Sequence, residues 1–400
     1  MGLKIKVRKY SAKEILCYLF LIFSFIPFLF PNPIVKTNIQ PYAALIGTVI
    51  LLFHFGTLFK TVQSRNLALI LGSTFAVALV VTFVLGASIE ALRGAYNYFA
   101  LFIIPCATVI VMDILDDFPE VLFKTMIILW FAVATIQFFV FRGFATELLS
   151  SVRWSYRYRG VVGLASEPSF LGITCFYFLH FIRRFKTGKF LFSVLTLAMG
   201  VLYAQSTTGI LFIVGFFAVL LLDEINTRRG LVVWIAAVAA VALFIYYVNT
   251  RPETNRLYQL YNAFFNGGVD SVLSDGSASI RYNAIGRALG NAARNWFIPS
   301  GFGARIGSAY GGMLVELGIF ALPAILLISY GFSLTFNKMR SRVVYYIVIT
   351  ILLLNNTQIG NPLLLMVIGI NFYYRLKAVK AKQYQAQEVA AESAEIYQSA

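Results

Sequence analysis

The sequence predicts an all-α polytopic membrane protein with about 12 transmembrane helices and two larger outer-face loops. Three observations predict it. Hydrophobic residues make up 59% of the 400 and charged residues only 12%, with a mean hydropathy of +0.78; soluble domains hold roughly 45 to 50% apolar and about 25% charged residues. Apolar runs of spanning length recur along the chain, because unpaired backbone polar groups in lipid cost several kcal/mol each and only closed helices or barrels avoid that cost. Basic residues punctuate these runs, so the net charge of +16 forms neither one basic patch nor a basic helix, and nucleic acid is not expected as a partner.

Taken in order, the candidate spans are 14 to 31, 41 to 59, 67 to 86, 96 to 112, 120 to 141, 167 to 183, 190 to 205, 208 to 223, 231 to 248, 309 to 335, 343 to 358 and 361 to 375. All belong to a single integral membrane domain, 1 to 400. The opening MGLKIKVRKYSAK imitates the first part of a signal peptide, but no small-residue cleavage site follows, so an uncleaved first helix is expected. Cys17, Cys106 and Cys175 fall inside apolar runs without a CxxC or a neighbouring His, which predicts inert packed residues. His54 and His180 also fall inside spans, where a lone His packs or hydrogen-bonds between helices. No HExxH, GxSxG or P-loop motif occurs.

Short cytoplasmic loops retain Lys and Arg. With Lys4, Lys6, Arg8, Lys9 and Lys13 inside, Lys60, Arg65, the turn Arg183 to Lys189, Arg228, Arg229, Lys338, Arg340, Arg342, Arg375 and the tail 376 to 400 also fall inside. Both termini are then cytoplasmic. The acidic cluster Asp113, Asp116, Asp117 and Glu120 solvates an inside turn. Apart from Lys36 and Lys124, the remaining basic residues are all arginine: Arg93, Arg142, Arg153, Arg157, Arg159, Arg251, Arg256, Arg281, Arg287, Arg294 and Arg305. Arginine offers a planar, permanently charged fork for phosphate or carboxylate, so an anionic ligand is expected. Lipid headgroups and the outer carboxylates Glu90, Glu147, Glu167, Glu253, Asp270, Asp275 and Glu316 are the competing partners.

Two outer loops hold most of these arginines. The first, 142 to 166, contains RWSYRYRG and runs into LASEPSFLG; Pro168 suits the first helical position, making Ser166 or Glu167 the cap. Glu167 is thus a cap, an ion-pair anchor beside Arg153, Arg157 and Arg159, or a general base. The second loop, 249 to 307, passes through GGVDSVLSDGSAS, expected to be flexible, and then SIRYNAIGRALGNAARNW, which has helical periodicity. Ile280, Ala284, Ala288, Leu289, Ala292 and Trp296 line one side; Asn283, Arg287, Asn291 and Arg294 form a polar stripe, with Arg281 beside it. That stripe faces either a lipid headgroup or solvent. The following PSGFGARIGSAYGGMLVELG is glycine-rich, which suits either phosphate contact or close helix packing.

At Arg159-Gly160 followed by Gly163-Leu164-Ala165-Ser166-Glu167-Pro168-Ser169, the chain resembles the O-antigen polymerase family, the Wzy type, of the O-antigen polymerase and ligase superfamily. Ser206-Thr207-Thr208-Gly209 resembles its serine-rich turn. Arg281 ahead of Pro299-Ser300-Gly301-Phe302-Gly303 resembles its second loop arginine and Gly-x-Gly, and Glu316-Leu317-Gly318 its Glu-x-Gly. The likeness covers residues 153 to 320. It implies a GT-C-like fold in the bacterial cytoplasmic (inner) membrane and a metal-independent glycosyltransferase without a cofactor. The implied substrate is an undecaprenyl-diphosphate-linked oligosaccharide, with membrane lipid and a chain-length regulator protein as partners. It further implies Arg159, Arg281 and Glu167 as catalytic residues, and Arg153, Arg157, Arg287, Arg294, Arg305, Tyr310 and Glu316 as substrate-binding.

The chemistry agrees with that implication: cleaving the anomeric carbon from diphosphate puts negative charge on the leaving group, and without a metal guanidinium groups must stabilise it. The ligases of this superfamily carry His-Asn-x-Tyr where this chain has Gly307, Ser308, Ala309 and Tyr310, so a ligase is the less favoured alternative. A lipid-linked glycan flippase would need midplane charges or paired repeats, which the sequence does not display.

Overall fold

A computed structural model of the chain describes residues 11–30, 39–152, 160–224, 246, 256–273, 276–302, 308–354 and 358–399. Local sequence starts the helices. Ser11 and Glu14 form a reciprocal capping box that opens α1 (Ala12–Phe25), with the Ser11 amide donating to Glu14 Oε2 at 2.8 Å. After α2 (Tyr42–His54), the side chains of Thr61 and Ser88 cap α3 (Val62–Val84) and α4 (Ile89–Leu115). Then follow α5 (Glu120–Phe139), α6 (Pro168–Ile182), α7 (Lys189–Leu197) with a π turn to Tyr203, and α8 (Thr207–Glu224). The second half of the chain supplies α9 (Arg256–Leu273), α10 (Gly276–Arg294), α11 (Ala309–Leu317), α12 (Leu322–Ser333), α13 (Met339–Leu353) and α14 (Pro362–Ser399).

The described residues are all helical apart from connections and one isolated antiparallel bridge, Leu29 to Leu149. Seven helical stretches among them are long and apolar enough to cross a membrane, which makes this a polytopic membrane protein in architecture. Large apolar side chains point outward along them, Leu52 and Phe53 on α2 and Phe83 on α3 among them, as a lipid-facing belt requires. The predicted spans overlap described helices, apart from 231 to 248, where only residue 246 is described; seven helical stretches, not twelve, have the length and apolar character of a span among the described residues.

At the centre are α4 and the membrane-length part of α14, each with 72% of that stretch buried, and α6, which is buried throughout; α2, α3, α5 and α8 bury less than half and lie outside them. Helices α6 and α8 cross at glycine. A Cβ on Gly209 would lie 2.5 Å from the Gly172 Cα, so any side chain there would force the helices apart. An aromatic cluster ties α1, α5 and α6 together: Phe25, Phe123 and Phe181 meet edge to face or tilted, and the Trp130 indole donates to the Phe25 carbonyl at 3.1 Å.

Three expectations need correction. The predicted span 309 to 335 is not one straight helix. It breaks at Gly318 (φ 59°, ψ −140°), and the Tyr310 hydroxyl on α11 meets Ser329 Oγ on α12 at 2.8 Å, so the two helices fold toward each other. Glycine is required at the break, because a Cβ would lie 2.1 Å from the Phe297 carbonyl oxygen. The stretch expected to be flexible, 267 to 279, is helical on both sides of 274 and 275, with a change of direction at Gly268 (φ 66°). On α10 the buried stripe is narrower than predicted: Ala284, Ala288 and Ala292 are buried, whereas Leu289 is exposed and Trp296, past the helix end, is 86% exposed. Small side chains suffice there because α10 packs closely on α11, where Gly311 faces Ala288.

Candidate functional site

Contacts between helix termini define the two ends of the bundle. At one end the chain after α5 pairs with the chain after α1: the Phe30 amide donates to the Leu148 carbonyl at 2.7 Å, and Ser150 to Phe28 at 2.9 Å. Phe28 also stacks on Phe170 at the start of α6. At the opposite end Glu120, which starts α5, accepts from the amides of Lys186 and Thr187 after α6, and Lys377 pairs with Asp116 after α4.

Ion pairs gather at that opposite end: Lys124 with Glu120, Lys186 with Asp117, Lys377 with Asp116, and Arg183 with Asp223 and Glu224. The hydrogen bond from Lys186 lowers the Asp117 pKa below its ordinary carboxylate value. Three members of the acidic cluster, Asp116, Asp117 and Glu120, are therefore in ion pairs. His180 sits in a buried network nearby, with Nδ1 2.7 Å from Thr335 Oγ1 and Nε2 2.9 Å from the Tyr345 hydroxyl. Asn371 bonds Thr335 and accepts from Arg184, whose pKa is pulled down to about 10 by burial. This is the interhelical role expected of a lone His among apolar residues.

The first end carries the sequence motifs. Arg153, Arg157 and Arg159 lie outside the described residues, but both flanks of their segment are fixed. On one side is the pairing of 148 to 150 with 28 to 30. On the other, Gly160 lies against the Tyr203 and Ala204 carbonyls, the Val161 amide donates to Tyr203 at 2.8 Å, and Arg142 Nη2 donates to the Gly160 carbonyl at 3.2 Å. Burial lowers the Arg142 pKa. Gln137 on α5 closes the arrangement. Its Nε2 donates to the carbonyls of Phe144 (2.8 Å) and Gly163 (2.9 Å), while its Oε1 accepts from the Gly163 amide at 2.7 Å. The segments Gly160 to Gly172 and Ser206 to Gly209, far apart in sequence, thus meet where α6 and α8 begin.

Glu167 occupies the N-cap position of α6, ahead of Pro168, yet its side chain makes no capping bond; its carboxylate accepts from the Ser169 hydroxyl instead. The Ser166 hydroxyl is buried without a partner among the described residues.

The second group at this end surrounds Glu316. On α11, two residues before the Gly318 break, Glu316 Oε2 accepts from the Tyr98 hydroxyl of α4 at 2.5 Å. Phe302 packs on Tyr98, with ring centroids 6.0 Å apart, and covers Gly94 one helical turn earlier. The return of 297 to 302 is pinned along α11 and its break by Ser300 to Val315 (2.9 Å) and Ile319 to Phe297 (2.9 Å). Arg287 and Arg294 are exposed on α10, as the polar stripe predicts. Arg281 lies on the same helix, and Arg305 lies outside the described residues. Tyr310 is buried, its hydroxyl engaged by Ser329, which Thr350 also bonds. No hydrogen bond or ion pair among the described residues joins Glu167 to Glu316.

Sequence reasoning missed Tyr98, Gln137 and the particular position of Arg93. Tyr98 and Gln137 sit in apolar helices without a motif around them, and only tertiary packing reveals them. Arg93 on α4 was legible as an outer arginine. Its Nε is buried without a hydrogen-bond partner, and neither Arg93 nor Arg294 has a carboxylate partner among the described residues. No group of three or more His, Cys, Asp or Glu placed to hold a metal occurs among the described residues.

Compared with known proteins, the chain matches no protein-family model, no curated protein and no solved structure.

Proposed function

We propose that this membrane protein is a surface-polysaccharide polymerase of the O-antigen type. In this reading it has twelve spans and a GT-C-like fold, and it transfers a growing glycan from undecaprenyl diphosphate to a lipid-linked repeat at the outer face of a bacterial cytoplasmic membrane. The observation that carries the reading is the segregation of charge. Paired lysines, arginines and carboxylates occupy one end of the bundle, while the end bearing the SEPS and STTG segments holds arginines without carboxylate partners, Arg93 and Arg294 among the described residues. Guanidinium groups without protein counter-ions suit a multiply charged anion.

In this reading the first loop and α10 supply cations to the diphosphate. Arg159 and Arg281 stabilise the charge that develops as the anomeric carbon leaves the diphosphate oxygen, and Arg153, Arg157, Arg287 and Arg294 steer the substrate. Gln137, Arg142 and the Tyr203 carbonyl hold the loop that delivers Arg159.

The test is Arg159→Ala in a strain lacking the chromosomal copy. Loss of one such donor typically costs about 10²-fold or more in rate, so long-chain polysaccharide bands should collapse to single repeats on core. Arg159→Lys should restore little, since an ammonium lacks the bidentate fork. Normal banding with Arg159→Ala removes the assignment. Long chains left on lipid with bare core would instead identify a ligase.

A further inference from the structure

We infer that the Glu316 carboxylate accepts the proton of the attacking sugar hydroxyl, with Tyr98 as the residue that positions it; the inference rests on the polymerase reading above. Glu316 stands where three elements meet: α11 just before its glycine break, the amino-terminal part of α4, and the return segment 297 to 302. Tyr98 is fully buried and gives its hydroxyl to Oε2, while Phe302 covers the ring. The other oxygen, Oε1, accepts from no described residue and is not sealed from the surface.

The partner's chemistry matters more than the contact itself. A guanidinium or ammonium partner would hold the carboxylate ionised and make it a poor proton acceptor; a single neutral hydroxyl orients it without doing so. No described cation pairs with Glu316. The other carboxylate carried by a motif, Glu167, is engaged by a hydroxyl of its own helix, Ser169. Charged groups inside spanning segments are costly, and a partly buried carboxylate with one oxygen committed and one open is placed for proton transfer instead of for solvation.

The step balances without a co-reactant. The acceptor hydroxyl oxygen bonds to the anomeric carbon, its proton passes to Glu316 Oε1, and the bond from that carbon to the diphosphate oxygen breaks, its electron pair leaving on the lipid diphosphate. The carboxylic acid then returns the proton to water.

The experiment uses the full-length protein in proteoliposomes, with lipid-linked repeat isolated from a strain lacking the polymerase. Chain length, kcat and KM are followed against pH. Wild type extends chains; Glu316→Gln, which keeps the shape and still accepts from Tyr98, loses about 10²- to 10⁴-fold in kcat with little change in KM and loses the acidic limb of the pH profile. Glu316→Asp retains part of the activity. Tyr98→Phe still extends chains but displaces the acidic limb, a shift that a merely structural role would not produce. Glu316→Gln within about threefold of wild type at every pH, where general-base loss demands far more, overturns the inference. Should Glu316→Gln fail to fold, an unmoved limb in Tyr98→Phe overturns it as well. A wild type that extends no chains overturns the polymerase reading itself and the inference with it, an outcome distinct from an active wild type with an active Glu316→Gln.

Discussion

Gln137 satisfies three backbone groups of the first loop with one amide. An amide side chain is needed there, since the loop offers two carbonyls and one N–H to the same point. Gln137→Leu keeps the size and loses all three bonds. Each buried group left unpaired costs about 1 to 3 kcal/mol, so the detergent-solubilised protein should melt lower. Chain extension should fall as well, while Gln137→Glu, which accepts from Gly163 but cannot donate, should show an intermediate loss. A Gln137→Leu protein with the wild-type melting temperature and wild-type chain lengths would show that the loop holds its place without this clamp. Arg93 illustrates the opposite case, a cation whose Nε is buried and unpartnered. Its place as an outer arginine is legible in the sequence; that it has no partner among the described residues is not.

Among elements, the crossing of α6 and α8 bears on the geometry of the first loop, because Gly160 lies against the Tyr203 and Ala204 carbonyls just before α8. Two glycines let the backbones approach, and Ser206 caps the start of α8 by accepting from the Gly209 amide at 3.3 Å. Gly209→Ala would put a methyl 2.5 Å from the Gly172 Cα and 2.8 Å from its carbonyl carbon. Backbone cannot rotate away as a side chain can, so overpacking of this kind costs about 1 to 3 kcal/mol. The expected result is a lowered melting temperature and reduced chain extension, read on the same sample; an unchanged melting temperature would mean that the helices separate there at no cost. The motif STTG was visible in the sequence, but its partner Gly172 was not, since no spacing rule relates the two. The break at Gly318 was hidden for a related reason. Its flanks are apolar enough to read as one span, and only the approach of the Phe297 carbonyl, contributed by a different segment, dictates the turn.

At the scale of the whole molecule, hydropathy located the helices because lipid imposes the same demand on every spanning segment. It could not tell a straight span from a folded pair, nor say which polar side chains meet. The separation of paired charge from unpaired arginine was partly legible, since lysines and acidic residues already clustered in the same connections. Its consequence for topology is open to direct measurement. Cys17, Cys106 and Cys175 are all buried, so native thiols should contribute little to labelling by a membrane-impermeant maleimide. Glu147, in the connection after α5, and Arg340, at the start of α13, are exposed at opposite ends of the bundle. Retention of basic residues on the cytoplasmic side puts the Arg340 end inside. Glu147→Cys should therefore label in intact cells, and Arg340→Cys only after the membrane is permeabilised. Labelling of both from the same side would break the two-ended arrangement, and labelling of Arg340→Cys alone in intact cells would invert it, moving the arginine-rich end to the cytoplasm and removing any role in joining glycans outside.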